Sequence, residues 1–326
     1  MPSSACKICK GPLKPLITGL FDDRFGYPGR FDVLRCEDCG FGQTAPELGP
    51  DRLARIYTEY YPRKETRASS VASTARYRGS ALQRLWAFVV GTRINGHFHA
   101  TAGQRVLDIG CAAGTSLLEL KAIGAEAYGT EFDENVRPIV RELGLKVHFG
   151  DLKSVDFPDG HFDAITMSQV LEHVADPIDF LRFAMTKLKP NGSLFMSFPN
   201  LDSWNEKRTG RRWINWHVPY HLNFFTDRSV RRLAEKTKFE AVTVTTVTPT
   251  LWQYLQWIAN GEVFSEGQAH PMWNPEQGKS SVSKAKKILF RLGALAFTPI
   301  LRLIDILGKG DSFLVEFKKP LGPSPT

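Results

Sequence analysis

The sequence predicts an α/β protein in which helices cover both faces of a parallel sheet. Two observations lead to this prediction. From Gln104 onwards, short apolar runs that are typical of strands alternate with stretches of helical spacing. Four of the five cysteines fall within the first 40 residues, which separates that part of the chain from the α/β region. A chain of 326 residues with 42% hydrophobic and 23% charged residues can bury a core, which excludes global disorder. Five cysteines are too few for a secreted disulfide scaffold.

Each element of the sheet is predicted from its own pattern. The apolar runs predict strands at Arg105–Ile109, Glu126–Gly129, Lys146–Phe149, Phe162–Ser168 and Ser193–Phe198. The helical spacing between them predicts helices at Thr115–Ile123, Glu134–Leu143 and Pro177–Leu188. A helix at Thr226–Lys238 with Thr226 as its N-cap and strands at Ala241–Val247 and Phe313–Lys318 complete the prediction.

The rest of the chain is predicted to form three additions to this domain. Residues 1–45 form a cysteine-rich module of two small hairpins, and residues 46–100 a connector with helical patches around 51–60 and 81–90. The α/β domain then comprises residues 101–247 and 310–320. Residues 248–309 are too long for a hairpin turn between two strands and are expected to be an insertion, either a substrate lid or a membrane-proximal element.

The cysteines form two pairs, Cys6-x-x-Cys9 and Cys36-x-x-Cys39. Two close pairs of thiolates brought together by the fold are the usual ligands of a tetrahedral zinc ion. A disulfide and redox-active thiols are the alternatives. Four thiolates leave no free coordination position, so the predicted zinc is structural and stabilises a module too small to bury a sufficient core.

A glycine-containing turn follows the first predicted strand, and acidic residues end the next two. Gly110 and Gly114 lie between that strand and a helix, with Asp108 before them and Ala112 between them. Glu131 ends the second strand, where a carboxylate can accept both hydroxyls of a ribose. Asp151 ends the third strand, where it can accept an adenine amino group. These acids are expected at the carboxyl edge of the sheet, where open α/β sheets bind ligands.

Here the sequence resembles the class I methyltransferases that use S-adenosylmethionine (SAM). Residues 108–114 resemble their D-x-G-x-G-x-G loop, with Ala112 in place of the middle glycine, and residues 162–174 and 188–192 match further segments in the expected order. The resemblance implies a Rossmann-like, doubly wound sheet of seven strands and a SAM-binding crevice. The implied cofactor-binding residues are Asp108, Gly110, Ala112, Gly114, Glu131, Phe132, Asp151, Leu152 and Gln169.

Methyl transfer requires a nucleophile held in line with the S–CH3 bond and, for an alcohol, a proton acceptor. The candidates are His173, which the resemblance implies lies beside the cofactor, and His217, Tyr220 and His221 in the loop after the fifth strand. Packing histidines are the alternative. Trp213, Trp216, Tyr220, His221 and Phe225 together resemble a substrate wall.

The expected acceptor is a small molecule, a sugar or a lipid-linked glycan, because a four-cysteine module before a SAM domain is similar to sugar- and glycan-modifying methyltransferases. An RNA methyltransferase that uses the zinc ribbon for binding and a non-catalytic SAM-fold scaffold are alternatives. Basic residues are scattered, and the net charge of +8 does not require nucleic acid, so a nucleic-acid partner is not expected.

The sequence also bears on location. No apolar segment follows the basic residues of the N-terminus, and Arg291, Pro299, Arg302 and Asp305 interrupt the apolar stretch 288–307. We therefore expect neither a signal peptide nor a spanning helix, and a cytoplasmic protein. Residues 284–309 combine basic and apolar side chains and could either contact a membrane surface or pack on the core. The sequence makes no prediction of the oligomeric state.

Overall fold

The computed structural model describes residues 5–61, 67–75, 81–274 and 280–321. The strands are β1 (Leu13–Phe21), β2 (Arg30–Cys36), β3 (Gly42–Ala45), β4 (Arg105–Ile109), β5 (Glu126–Glu131), β6 (Val147–Phe149), β7 (Phe162–Ser168), β8 (Leu188–Pro199), β9 (Asn223–Phe224), β10 (Glu240–Val247) and β11 (Ser312–Lys318). The helices are α1 (Pro50–Arg55), α2 (Ala68–Thr74), α3 (Ala81–Val90), α4 (Thr115–Ala122), α5 (Arg137–Glu142), α6 (Pro177–Lys187), α7 (Trp204–Thr209), α8 (Asp227–Thr237), α9 (Thr250–Asn260), α10 (Lys284–Ala296) and α11 (Thr298–Ile306).

The central sheet has seven strands in the order β10-β11-β8-β7-β4-β5-β6. Strands β6, β5, β4, β7 and β8 are parallel, and β11 runs antiparallel to both β8 and β10. Because parallel neighbours need crossover connections, the helices between them lie over the sheet. The predicted seven-stranded Rossmann-like fold is confirmed.

Alternation of side chains along the strands explains why both faces of the sheet are covered. Leu107 and Ile109 of β4 belong to one core cluster, together with side chains of α6 and α8. Val106 belongs to another, together with Leu117 and Leu120 of α4. Since neighbouring residues of a strand point to opposite faces, each face has its own core. Helix α8 begins as predicted, with Thr226 and Ser229 forming a reciprocal capping box.

The cysteine-rich module is not a separate sheet. Strands β1, β2 and β3 form the two predicted hairpins, but β9, which comes from the loop after β8, pairs with β3 as a fourth strand. The cysteine side chains and Phe41 also belong to the same core cluster as α8. The predicted boundary at residue 45 therefore divides a sheet that the structure holds together.

The connector and the insertion are helical. The predicted patch at 51–60 forms α1 followed by a π-helical turn, Ile56–Tyr60, and the patch at 81–90 forms α3. Residues 62–66 and 76–80 of the connector, and 275–279 of the insertion, lie outside the described residues. The insertion contributes α9, α10 and α11, in which Trp257 contacts Phe290 and Phe297. In the described ranges, none of the helices has the length and apolar character that crossing a membrane requires.

Candidate active site

The glycine turn lies where β4 meets α4. Gly110 and Gly114 have φ angles of +73° and +89°, and Ala112 between them has φ +47°. A side chain at Gly110 would come within 2.7 Å of a methyl group of Val170, and one at Gly114 would collide with Leu145. The backbone therefore needs glycine at both positions, whereas Ala112 is an exposed alanine in the left-handed region.

Asp108 is buried beneath this turn. Its two carboxylate oxygens accept hydrogen bonds from the hydroxyls of Thr166 and Ser116, which lie on β7 and in the first turn of α4. Burial raises the pKa of Asp108, and these hydrogen bonds oppose the shift. The predicted cofactor residue thus connects β4, β7 and α4 and shapes the turn from below.

Glu131 ends β5 at the carboxyl edge of the sheet. One of its carboxylate oxygens accepts the backbone N–H of Ala112 at 2.7 Å, and the other accepts those of Phe132 at 2.7 Å and Asp133 at 2.9 Å. These bonds fix the carboxylate beside the glycine turn, because Ala112 is the central residue of that turn. The side chain of Phe132 follows and is 72% exposed.

The remaining predicted cofactor residues lie along the same rim but differ in burial. Asp151 is exposed and accepts the backbone N–H of Lys153 at 3.1 Å, which caps a short turn. Leu152 is buried in the core, so its side chain packs rather than facing an open crevice. Gln169 has φ +58° after β7 and donates from its side-chain amide to the Ser197 hydroxyl at 3.3 Å.

The predicted catalytic residues form a buried aromatic and histidine cluster. The ring of His221 lies 4.8 Å from that of His173 and 4.9 Å from that of His217, and His217 stacks on Tyr220 at 4.7 Å. The loop is fixed to the turn after β7 because the side-chain amide of Asn223 donates to the carbonyl oxygens of Leu171 at 3.0 Å and Val174 at 2.6 Å. The structure therefore brings the four candidate residues together.

Three aromatic residues near the N-terminus complete this cluster, and sequence reasoning missed them. Phe25, Tyr57 and Tyr61 pack against Tyr220 with centroid distances of 5.3, 5.6 and 5.8 Å. Burial raises the pKa of Tyr61, and the negative charges of Glu131 and Asp133 add to this rise. Tyr61 also packs against Phe25 and Tyr57 at 5.1 and 5.7 Å, so the three rings form one aromatic group around Tyr220.

The histidines of the cluster are neutral near pH 7. Burial lowers the pKa of His173 to about 4 and lowers those of His217 and His221 well below 6.5, and the positive charge of Arg24 contributes to all three shifts. Nδ1 of His221 donates to the Asn215 carbonyl oxygen at 2.8 Å, and Nδ1 of His173 donates to that of Tyr220 at 3.0 Å. Because a carbonyl only accepts, Nε2 of each ring is the proton-free nitrogen.

Glu172 is a further buried member that sequence reasoning missed. Its side chain is fully buried, and neither carboxylate oxygen has a hydrogen-bond partner among the described residues. One of its oxygens and one ring nitrogen from each of His173 and His221 all lie within 4.8 Å of one another. Burial raises the pKa of Glu172 to about 8, so the carboxyl is protonated at neutral pH. The sequence feature that could have indicated Glu172 is its position next to His173, which was already predicted as a site residue.

The predicted substrate wall requires a correction. Trp213 is buried, donates its indole N–H to Asp311 at 2.9 Å and packs against Trp216. Phe225 is buried against Phe41 and Phe198. Both are core residues, because aromatic rings in this loop also attach the N-terminal sheet to the domain. Trp216 is buried in the same core cluster as Trp213, but it also borders a cleft of about 180 Å³ together with Arg211, Arg212, His217 and Phe264.

The four cysteines of the N-terminal pairs meet as predicted. Their Sγ atoms all lie within 4.8 Å of one another, with 3.6 Å between Cys6 and Cys39 and 3.4 Å between Cys9 and Cys36. Bonds of about 2.3 Å to a tetrahedral zinc ion place thiolates roughly 3.8 Å apart. The backbone N–H groups of Ile8 and Gly11 donate to the sulfurs of Cys6 and Cys9, at 3.4 Å each. The geometry and the donor set fit zinc.

Comparison with known proteins identifies similar sequences and folds. A family model described as a methyltransferase domain matches residues 60–244, more than half of the chain. A ubiquinone biosynthesis O-methyltransferase from Aromatoleum aromaticum is 34% identical over 106 residues, which are 30% of this chain and 45% of that protein. An uncharacterized 37.1 kDa protein in transposon TN4556 of Streptomyces fradiae is 31% identical over 164 residues, 46% of this chain and 47% of that protein. The chain thus spans less than half the length of these relatives.

Among solved structures, a SAM-dependent methyltransferase from Archaeoglobus fulgidus is 21% identical, with a TM-score of 0.44 over 74% of this chain and 96% of that chain. Haemonchus contortus phosphoethanolamine N-methyltransferase 2, in complex with SAM, is 15% identical, with a TM-score of 0.49 over 86% of this chain and 62% of that chain.

Proposed function

The chain belongs to the methyltransferase domain family, and on this premise we propose that it transfers the methyl group of SAM to a small-molecule, sugar or lipid-linked glycan acceptor. The observation that carries the proposal is the Glu131 carboxylate, which three backbone N–H groups hold beside the glycine turn. These bonds occupy three of the roughly four lone-pair sites of the carboxylate, and the site left on the oxygen that accepts only from Ala112 is available to a hydroxyl of a ribose. The exposed ring of Phe132 and the exposed carboxylate of Asp151 support an adenine next to it on the same rim.

SAM supplies an activated methyl group when it is bound, so the protein has to position the acceptor, exclude water and accept a proton. The buried histidine cluster can exclude water and accept a proton. Nε2 of His221 is proton-free and the ring is held by Asn215, so we assign proton acceptance from an acceptor hydroxyl to this atom. His173, held by the Tyr220 carbonyl, packs against the ring of His221 at 4.8 Å and helps to fix its orientation.

An oxygen acceptor is supported by the relatives that are named O-methyltransferases. Neutral histidines in an aromatic surround suit the deprotonation of an uncharged hydroxyl better than the binding of a polyanion, because such a pocket contributes little positive charge. Arg211 and Arg212 border the neighbouring cleft and are suited to a phosphate-bearing part of the acceptor, such as that of a nucleotide sugar or lipid-linked saccharide.

We further propose that Cys6, Cys9, Cys36 and Cys39 bind one structural zinc ion. The four-sulfur set leaves no position for water or substrate. The cysteines share a core cluster with Phe41 and Phe225, and β3 pairs with β9 of the loop that carries His217 and His221. The ion therefore supports the histidine loop through the sheet and takes no part in the transfer.

The test combines SAM titration with a screen of acceptors. Isothermal titration should detect one SAM site per chain, and radiolabelled SAM should label a nucleotide sugar, a lipid-linked saccharide or a hydroxylated small molecule. His221→Ala should reduce turnover at least about a hundredfold without weakening SAM binding. His148→Ala, which replaces a half-buried histidine outside the cluster, is the matched control. Absence of SAM binding contradicts the proposed function, and wild-type turnover of His221→Ala contradicts the assigned proton acceptor.

A further inference from the structure

Helices α10 and α11 present apolar side chains to solvent. On α10 the inward side packs through Phe290, Gly293 and Ala294, whereas Ile288 and Leu292 are 62% and 60% exposed. The pattern continues along α11, where Leu301 is fully buried and Ile306 is 81% exposed. The exposed apolar residues recur at helical spacing: Ile288, Leu289, Leu292, Leu295, Ile300 and Leu303. A surface helix of a soluble domain normally shows the reverse distribution.

A third helix with the same property lies next to these two. The Arg302 guanidinium of α11 donates to the carbonyl oxygens of Phe88 at 3.0 Å and Val89 at 3.3 Å at the end of α3. On α3, Leu82, Trp86 and Phe88 are each more than half exposed. The apolar residues on α3, α10 and α11 therefore belong to neighbouring helices, and we call them the apolar face.

The charge around this face has one dominant sign. Residues 284–309 contain six basic residues and one acidic residue, and the latter, Asp305, is paired with Arg302 at 2.9 Å. Lys284 and Lys286 are exposed at the start of α10, and the Lys286 ammonium lies 5.6 Å from the centre of the Phe290 ring. An apolar face bordered by cations favours a partner that offers hydrocarbon and negative charge together.

We propose that the apolar face docks this protein on the surface of a bilayer that contains anionic lipids. A second copy of the chain is the less favourable occupant, because a symmetric contact would bring two surfaces of the same positive sign together. In the bilayer, the apolar side chains enter the boundary between headgroups and acyl chains, and the lysines remain among the headgroups. An open hollow of about 460 Å³ between α9 and α10, lined by Trp257 and Leu289 among others, adds apolar surface beside the face.

The bilayer proposal is independent of the identity of the methyl acceptor, and vesicle flotation of the full chain tests it. We expect binding to vesicles with about one third phosphatidylglycerol in phosphatidylcholine, weaker binding to phosphatidylcholine alone, and a marked loss at high salt. The double variant Ile288→Asp/Leu303→Asp should reduce partitioning about tenfold or more, since two exposed apolar contacts are lost. Lys284→Glu/Lys286→Glu should abolish the preference for anionic vesicles.

Val263→Asp is the matched control, because Val263 is 75% exposed in the insertion but lies outside the three helices. It should bind vesicles like the wild type, and all variants should unfold at the wild-type temperature. Three results overturn the proposal: no flotation with anionic vesicles, flotation unchanged in the apolar double variant, or a solution dimer that this same variant dissociates. The last result assigns the face to a second copy of the chain. SAM titration of the same variants keeps a failure of docking distinct from a failure of the proposed function.

Discussion

Replacing Glu172 with glutamine should change how the stability of the protein depends on pH. The carboxyl is fully buried without a hydrogen-bond partner among the described residues, and burial raises its pKa from 4.5 to about 8. A pKa raised on folding means that the folded state holds the proton more tightly. The stabilisation is therefore complete below pH 4.5 and is lost as the pH rises through 8, because the unfolded chain ionises first.

The change in the free energy of unfolding follows from the pH range over which this stabilisation is lost. A full shift of this size corresponds to roughly 5 kcal/mol, of which roughly 2 to 3 kcal/mol falls between pH 6 and pH 9. Glutamine has nearly the same shape but does not ionise. The free energy of unfolding of Glu172→Gln should therefore rise relative to wild type by roughly this amount over that range. Urea denaturation at a series of pH values in one buffer system measures the difference.

Glu262→Gln is the matched control for this measurement. The Glu262 side chain is also buried, but it accepts hydrogen bonds from Ser280 and Ser281, and its pKa is lowered. A lowered pKa makes its stabilisation present above pH 4.5, so both states are ionised between pH 6 and pH 9 and the cost of this variant should be constant there. Parallel stability curves for wild type and Glu172→Gln would refute the reasoning that a neutral carboxyl is buried in the histidine cluster.

Three further predictions concern the crevice and the cysteines. Glu131→Gln should raise the dissociation constant for SAM about tenfold or more, because an amide cannot reproduce the charge-assisted hydrogen bonds of the carboxylate. Glu134→Gln is the control. The Glu134 carboxylate pairs with Arg137, so this variant should leave the dissociation constant unchanged in the same titration. Cys9→Ser or chelation should remove one zinc ion per chain and lower the unfolding temperature. Cys111→Ser is the control and should retain the ion, because Cys111 lies outside the cysteine cluster. Metal analysis that finds no zinc in the wild-type protein would contradict the assignment. Ala112→Gly should leave the free energy of unfolding unchanged or raise it by up to about 1 kcal/mol, because the φ angle of Ala112 is +47°. Gly114→Ala should lower the free energy of unfolding by about 2 kcal/mol or more, because the added methyl group would collide with Leu145. Denaturant titration measures both values, and an unchanged free energy for Gly114→Ala would contradict this steric argument.

Features carried by local sequence patterns were predictable. The sheet strands follow from apolar runs, and the start of α8 from Thr226, because burial period and capping are local properties. The cysteine cluster follows from two pairs with a characteristic spacing. The turn between β4 and α4 follows from its two glycines, both of which have positive φ angles.

Features that depend on distant parts of the chain were not predictable. The two-residue strand β9 forms only because β3 is available to pair with it. Tyr57 and Tyr61 pack against Tyr220, which lies more than 150 residues later in the sequence, and no pattern around either tyrosine indicates this contact. Trp213 was expected at a substrate and lies in the core, since aromatic character alone does not distinguish the two. The outward orientation of the apolar residues of α10 was not predictable either, because it depends on how this helix packs against its neighbouring helices.

The central claim is that the carboxyl edge of the sheet binds the adenosyl group with Glu131 at the ribose. A crystal structure with SAM or S-adenosylhomocysteine tests it most directly. We expect a ribose hydroxyl within about 3 Å of the Glu131 carboxylate, the adenine beside Phe132 and the sulfur directed towards the histidine cluster. A nucleoside bound elsewhere on the protein, with the Glu131 carboxylate still exposed to solvent, would contradict the claim.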